Sequence, residues 1–326
     1  MPRQAPEFDF EWTSEEDLLR FLAQPHINAE LQEYGFIMLR VILPEGGVVE
    51  EILRNPAVFR TMFREKNSII AYQHVVTSNG CIEETIDRET KAVQYMWDVR
   101  ASAAVDLPHE EDRPFILTEE GRRLFPLPIA AEKFFAQHFH KADAGESHRR
   151  AFYCISTKNI MDHYKKGYNM ADFSCVLRKY SEDMLTGPMG GISTYFTYIS
   201  ARGSVSALHI EDADMVSINY CVFCADPNLL KLWFGWPPHA LPLLRQLGLE
   251  EHLKQYPDSN ATPEEFVNAR DKQQFMDPAA VEKAIGVPAT YAFQREGYMI
   301  VTAPRAPHEV INLGEHFANG RSITRR

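Results

Sequence analysis

A chain of 326 residues with 45% hydrophobic and 11% aromatic side chains can bury one large core or two modest ones. Its net charge of −11 excludes broad contact with a nucleic-acid backbone, which needs clustered Lys and Arg, and suits a basic peptide partner. No apolar run reaches the ~18 residues of a membrane span. The five cysteines (Cys81, Cys154, Cys175, Cys221, Cys224) form no disulfide-like framework, and the start MPRQAPEFDF lacks the apolar core of a signal peptide. A soluble protein of a reducing, intracellular compartment is expected.

Taken in chain order, Thr13 precedes Glu16 at the capping-box spacing and predicts a helix start ahead of Leu18, Leu19 and Phe21. GFIMLRVILP (35–44) reads as a short strand closed by Pro44. Residues 46–150 mix helical stretches such as VVEEILRNPAVFRTMF with charged loops. From GISTYFTYI (191–199) strands follow at close intervals: SALHIEDADMVSINY (206–220), CVF and LKLWFGW. Helices return over 240–286, where ALPLLRQLGLEEHLKQ and PEEFVNARDKQQF space their apolar residues at helical intervals. A last β-rich run, YMIVTAP (298–304), leads to His308. Helices set between strands predict a mainly β, α+β chain with a barrel or sandwich core and helical decoration.

Chemistry concentrates in 206–220. Alternate side chains of an extended strand share a face, so His209 and Glu211 point the same way while Ile210 points the other. Two histidines and one carboxylate on one side of a divalent metal form the facial triad of non-haem Fe(II) oxygenases, whose open positions take cosubstrate and oxygen. His308 is the candidate third ligand, because a strand returning beside 206–220 would bring it close. Spacing alone leaves that adjacency open.

HIEDADMVSINY, then KLWFGWPP, then TAPRAPHEVIN together resemble the JmjC family of Fe(II)- and 2-oxoglutarate-dependent oxygenases, and most closely its JmjN-containing histone lysine demethylases. The matched positions are His209, Glu211, Asp212, Ser217, Asn219, Tyr220, Lys231, Trp233, Pro237, Pro238, Thr302, Pro304, His308 and Asn312. The resemblance is close over roughly 150–320 and thin at the N-terminus, where FEWTSEEDLLRF and GFIMLRVILP look like parts of a JmjN segment. It implies a double-stranded β-helix of the jelly-roll or cupin type. It also implies a JmjN-like segment over 1–45, a mixed helical and loop region over 46–149 packing on the core, and a catalytic domain over 150–326 with a helical insertion at 240–286.

Carried over by position, the resemblance makes His209, Glu211 and His308 the iron ligands and Lys231 the partner of the distal carboxylate of 2-oxoglutarate. Asn219, Tyr153, Ser217 and Trp233 would line the cosubstrate, and Tyr198, Gly320 and Asn312 the substrate channel. Fe(II), 2-oxoglutarate and O2 are the implied cofactors. The implied partner is a methylated lysine peptide, in first place a histone tail, acted on in the nucleus with release of formaldehyde. Direct nucleic-acid or membrane contact is not expected. Two other readings stay open: hydroxylation at a carbon atom, which leaves a stable alcohol, and a catalytically silent chromatin-binding scaffold.

The departures from the family pattern matter too. Ser206 stands where an aromatic residue is usual, so packing around the cosubstrate must differ. Gly320 and Arg321, in FANGRSI, replace a Ser-Thr pair. The methyl-lysine reading then requires Gly320 to face the metal, where it would enlarge the pocket, and Arg321 to face away. Asp271 replaces a zinc-binding histidine and the cysteines expected after the barrel are missing, so no structural zinc is expected. Cys221 and Cys224 have CxxC spacing but lie in a strand without a second pair, and read as core cysteines.

Overall fold

The computed structural model describes residues 2–42, 69–76, 81–86, 150–156, 196–200, 205–224, 230–268, 276, 278–313 and 316–323. The N-terminal part contributes β1 (Arg3–Gln4), β2 (Glu7–Glu11), α1 (Glu15–Ala23), α2 (Pro25–Tyr34) and β3 (Phe36–Ile42). Four strands follow: β4 (Ile69–Val76), β5 (Cys81–Ile86), β6 (Arg150–Ser156) and β7 (Phe196–Ser200). Next come β8 (Val205–His209), β9 (Val216–Cys224), β10 (Lys231–Gly235), α3 (Leu241–Gln255) and α4 (Pro278–Ile285). The last strands are β11 (Thr290–Gln294), β12 (Tyr298–Thr302), β13 (His308–Asn312) and β14 (His316–Ile323). The described part is thus mainly β with few helices, and no helix in it is long and apolar enough to cross a membrane.

The first helix starts one residue later than the capping-box spacing suggests. Ser14, not Thr13, is the cap: its Oγ accepts from the Asp17 backbone N–H at 3.1 Å and donates to the Asp17 carboxylate at 2.6 Å. Asp17 thereby takes the role expected of Glu16, because its shorter side chain also receives the Thr13 hydroxyl and Arg20. Ser14, Thr13 and Arg20 together hold that carboxyl down at about 2. Pro25 opens α2 where its missing N–H costs nothing, and Gly35 closes it at φ 82. Leu18, Leu22, Ile27 and Leu31 form the buried side of the two helices, α2 lying against β3.

Two sheets result. The smaller has the order β1-β11-β10-β13-β8, and the larger β2-β3-β12-β9-β14-β7-β6-β4-β5. The first residues serve both, β1 pairing with β11 in one sheet and β2 and β3 extending the other. Strand alternation then sorts the smaller sheet. Leu232, Phe234, Phe293 and Ile311 fall on one face and pack with Leu241 and Leu244 of α3 and Val281 of α4. Lys231, Trp233, Ala292, Gln294, His308, Val310 and Asn312 fall on the other. On that face Trp233, Ala292 and Val310 meet Ala5, Phe36, Met38 and Ile300, so the inner faces of the two sheets pack against each other.

Three expectations need correction. Within 46–149, read as helical stretches and loops, the described residues Ile69–Val76 and Cys81–Ile86 are strands paired with each other. The stretch 206–220 is two strands, not one: β8 ends at His209, and a 3-10 turn over Asp212–Asp214 separates it from β9. Asp214 at φ 54 takes the left-handed conformation that short polar residues tolerate, and this reverses the chain. PEEFVNARDKQQF does not begin as an α-helix: Pro263–Glu265 is a 3-10 turn, and Val267 at φ 50 breaks the helical path. Residues 269–275 of it, and VVEEILRNPAVFRTMF, lie outside the described residues.

Candidate active site

β13 runs antiparallel to β8 and sets His308 opposite His209, with ring centroids 4.3 Å apart. Beyond the end of β8 the chain stays extended through Glu211 (φ −76, ψ 157), which brings its Oε1 within 3.3 Å of His308 Nε2. Each of the three residues offers a ligand atom, and these atoms lie within 4.8 Å of one another. His209 and His308 are buried, whereas the Glu211 side chain keeps 25% of its surface exposed at the mouth. Both imidazoles are fixed in the same way. His209 Nδ1 donates to the Ala207 carbonyl at 2.6 Å, and His308 Nδ1 to the Ala306 carbonyl at 3.0 Å. A carbonyl only accepts, so each Nδ1 carries a proton, which leaves Nε2 as the nitrogen that could hold a metal. Two such nitrogens and one carboxylate suit a divalent transition metal with open positions.

Lys231 lies on the same inner face, two residues before Trp233 on β10 and opposite Asn312 on β13. Its side chain is buried, and burial pulls the ammonium down to about 8, against the opposing influence of Cys221 and Cys224. Among the described residues no carboxylate forms an ion pair with it or shifts it. An unpaired buried ammonium is costly, and a carboxylate ligand would relieve the cost. Trp233 joins the cation to the metal ligands: its ring stacks on His308 at 5.8 Å and 27°, and Lys231 Nζ lies 5.6 Å from its centre.

The opposite wall comes from the larger sheet. Lys231 Nζ is 6.0 Å from the Tyr198 ring centre. Burial, then the charges of Glu211 and Asp212, push the Tyr198 phenol up, so it stays a protonated donor. A Cβ on Gly320 would lie 3.1 Å from Asn219 Nδ2, 3.1 Å from the Ile218 carbonyl and 3.2 Å from Tyr198 Cε2. A side chain at Gly320 would therefore press on Asn219, Tyr198 and the Ile218 carbonyl. The buried Oδ1 of Asn219 has no hydrogen-bond partner among the described residues.

Other residues singled out in the sequence are placed less directly. Ser217 is buried with its hydroxyl 2.8 Å from Thr302 Oγ1, which also accepts from the Ser217 N–H at 3.2 Å. Asn312 is buried opposite Lys231. Tyr153 sits on β6 in register with Ser200 of β7, and its side chain lies outside the described residues, as does that of Arg321. Ser206 pairs with Val310 where the β8–β13 register shifts. A second shift, between Phe317 and Ala318 of β14, adds one residue to β9 and puts Cys221 and Cys224 on one face, Sγ to Sγ 3.5 Å. Both are buried and neither forms a disulfide. Sequence reasoning missed Gln294 and the Thr302 hydroxyl contact. Strand parity was the available signal for Gln294, but it required knowing that β11 pairs with β10.

Residues 196–319 match the model of the JmjC domain, hydroxylase. Among curated proteins, the chain is 29% identical over 135 residues to lysine-specific demethylase REF6 of Arabidopsis thaliana, covering 41% of this chain and 9% of that one. It is 29% identical over 133 residues to lysine-specific demethylase 4B of Mus musculus, covering 41% and 11%. It is 28% identical over 160 residues to probable lysine-specific demethylase 4F of Homo sapiens, covering 48% and 23%. The match thus spans less than a quarter of the length of each relative. The matched segment contains His209, Glu211, Lys231, Trp233 and His308, the residues that build the site, and over that segment the chain is similar to the JmjC domain.

Proposed function

We propose that the protein is an Fe(II)- and 2-oxoglutarate-dependent oxygenase that demethylates lysine side chains of a basic, histone-like peptide. One observation carries the reading: a buried ammonium without a carboxylate partner among the described residues faces the same interior as three metal-type ligands, with one indole between them. Iron would be held by Nε2 of His209, Nε2 of His308 and the Glu211 carboxylate, and the far carboxylate of 2-oxoglutarate by Lys231. Bound iron and 2-oxoglutarate supply the oxidation of a methyl C–H bond by dioxygen, with 2-oxoglutarate leaving as succinate and carbon dioxide. The residues around them position and exclude. Trp233 and Tyr198 wall the space between anchor and ligands, Asn219 offers an unfilled acceptor, and Glu211 with the exposed Asp212 gives the mouth a negative potential that favours a cationic substrate. The hydroxymethyl product at nitrogen then separates into the shortened amine and formaldehyde.

In this reading the two sheets are the double-stranded β-helix, 240–286 is its helical insertion, and residues 1–45 are a JmjN-like segment bound into both sheets. The mixed region 46–149 precedes a catalytic domain over 150–326. Tyr153 and Ser217 belong to the cosubstrate side, and Gly320 and Asn312 to the substrate side. Histone tails place the activity in the nucleus. Mass spectrometry of methylated histone peptides incubated with protein, Fe(II), ascorbate and 2-oxoglutarate tests the proposal. Loss of methyl groups with matching formaldehyde supports it. Peptides that gain one oxygen without formaldehyde would put carbon hydroxylation in its place.

A further inference from the structure

Gln294 is not one of the three candidate metal ligands, yet its carboxamide bonds Trp233, whose ring stacks on one of them. It is fully buried at the end of β11, opposite Lys231. Its Oε1 accepts the Trp233 indole N–H at 2.8 Å, and its Nε2 donates to the Asn219 carbonyl at 2.7 Å and to the Tyr298 carbonyl at 3.1 Å. One amide thus links the smaller sheet at Trp233 to the larger sheet at β9 and β12. Both of its N–H bonds are used, and the geometry fixes which end is oxygen, since an indole N–H only donates and a carbonyl only accepts.

From this network we infer that Gln294 is a positioning residue for the cosubstrate pocket, acting through Trp233 on one wall and through the Asn219 backbone on the other. Trp233 has no other side-chain hydrogen bond among the described residues. Its ring contacts the Lys231 ammonium on one side and His308 on the other. A rotation of the indole would move the cation and the metal ligand relative to each other, and the Gln294 bond opposes that rotation. The same amide holds the strand that carries Asn219, so the spacing of the two walls depends on it. Buried amides with every bond satisfied fix a single geometry in this way.

The inference rests on the oxygenase reading, and its test separates the two. Co(II) replaces iron so that no turnover occurs, and 2-oxoglutarate is titrated calorimetrically into Co(II)-loaded wild type, Gln294→Met, Trp233→Phe and the double variant. Trp233→Phe keeps a ring against His308 and removes only the indole portion that bonds Gln294. Each single change should weaken 2-oxoglutarate binding roughly five- to thirtyfold, the worth of one buried hydrogen bond. The double variant should be no weaker than the weaker single one, because both remove the same bond. A role confined to general stability would lower the unfolding midpoint and leave the affinity of the folded protein unchanged. If Gln294→Met does not fold, Trp233→Phe alone decides by the same criterion. Wild-type affinity in the folded variants, or losses that add in the double one, would overturn the positioning role while leaving the oxygenase reading in place. Wild type that binds Co(II) but no 2-oxoglutarate would overturn both.

Discussion

Lys231 sets the terms at the scale of single residues. Its ammonium is buried among Trp233, Tyr198, Cys221 and Cys224 and falls from the usual 10.5 to about 8. A basic group whose pKa is lower folded than unfolded opposes folding wherever it is protonated in both states. That cost is fully present below about pH 8 and is relieved as pH rises toward 10.5, because the folded protein then sheds a proton that the unfolded chain retains. Lys231→Met keeps the stem and removes the charge. Without metal or cosubstrate it should therefore stabilise the protein at neutral pH by on the order of 3 kcal/mol, measured by urea unfolding. The same variant should bind 2-oxoglutarate more weakly by roughly 1.5 to 3 kcal/mol, the worth of a charge-assisted contact. A dianionic ligand needs the lysine charged, so its affinity should be level below pH 8 and decline above it, approaching about tenfold per pH unit. An affinity that holds constant through that range would remove Lys231 as the anchor.

Elements deliver these residues through a few backbone positions with little tolerance. Gly35 links α2 to β3 at φ 82, and a Cβ there would lie 2.2 Å from the Trp236 carbonyl oxygen and 3.2 Å from Pro237 N. Backbone cannot swing aside as a side-chain tip can, and the Gly35 carbonyl also accepts from Ala303 N at 2.8 Å, at the exit of β12. Gly35→Ala should cost about 3 kcal/mol or more, combining left-handed strain with overpacking, read as a lowered urea midpoint with an unchanged slope. A loss below about 1 kcal/mol would mean that the turn relaxes freely. The loops next to Glu211 and His308 are joined more weakly. Arg305 reaches Asp214 at 3.7 Å with both side chains about half exposed, so Arg305→Ala should change stability by no more than about 1 kcal/mol.

Across the whole molecule, what could be read from sequence was local, and what could not depended on pairing. β3, β12 and α3 appear where apolar periodicity puts them, because alternation and helical spacing are properties of short stretches. The ligand pair His209 and Glu211 was readable by strand parity even though β8 ends at His209, since the chain stays extended for two more residues. Adjacency of His308 depends on β13 returning beside β8, 99 positions after His209, and the contacts of Gln294 depend on both sheets coming together. No local pattern encodes either. The turn at Asp212–Asp214 falls where the alternation breaks, with polar Glu211 and Asp212 in succession and then apolar Met215 and Val216, whereas the tight packing around Gly320 has no local sequence signal. The central claim is that the triad and the buried lysine form one oxygenase site, and succinate formation from 2-oxoglutarate in air with Fe(II) and a methylated lysine peptide tests it most directly. Wild type should form succinate, and His308→Ala and Glu211→Ala should fall to background while keeping a cooperative unfolding transition; wild-type rates in either variant, or no succinate from wild type, would contradict it.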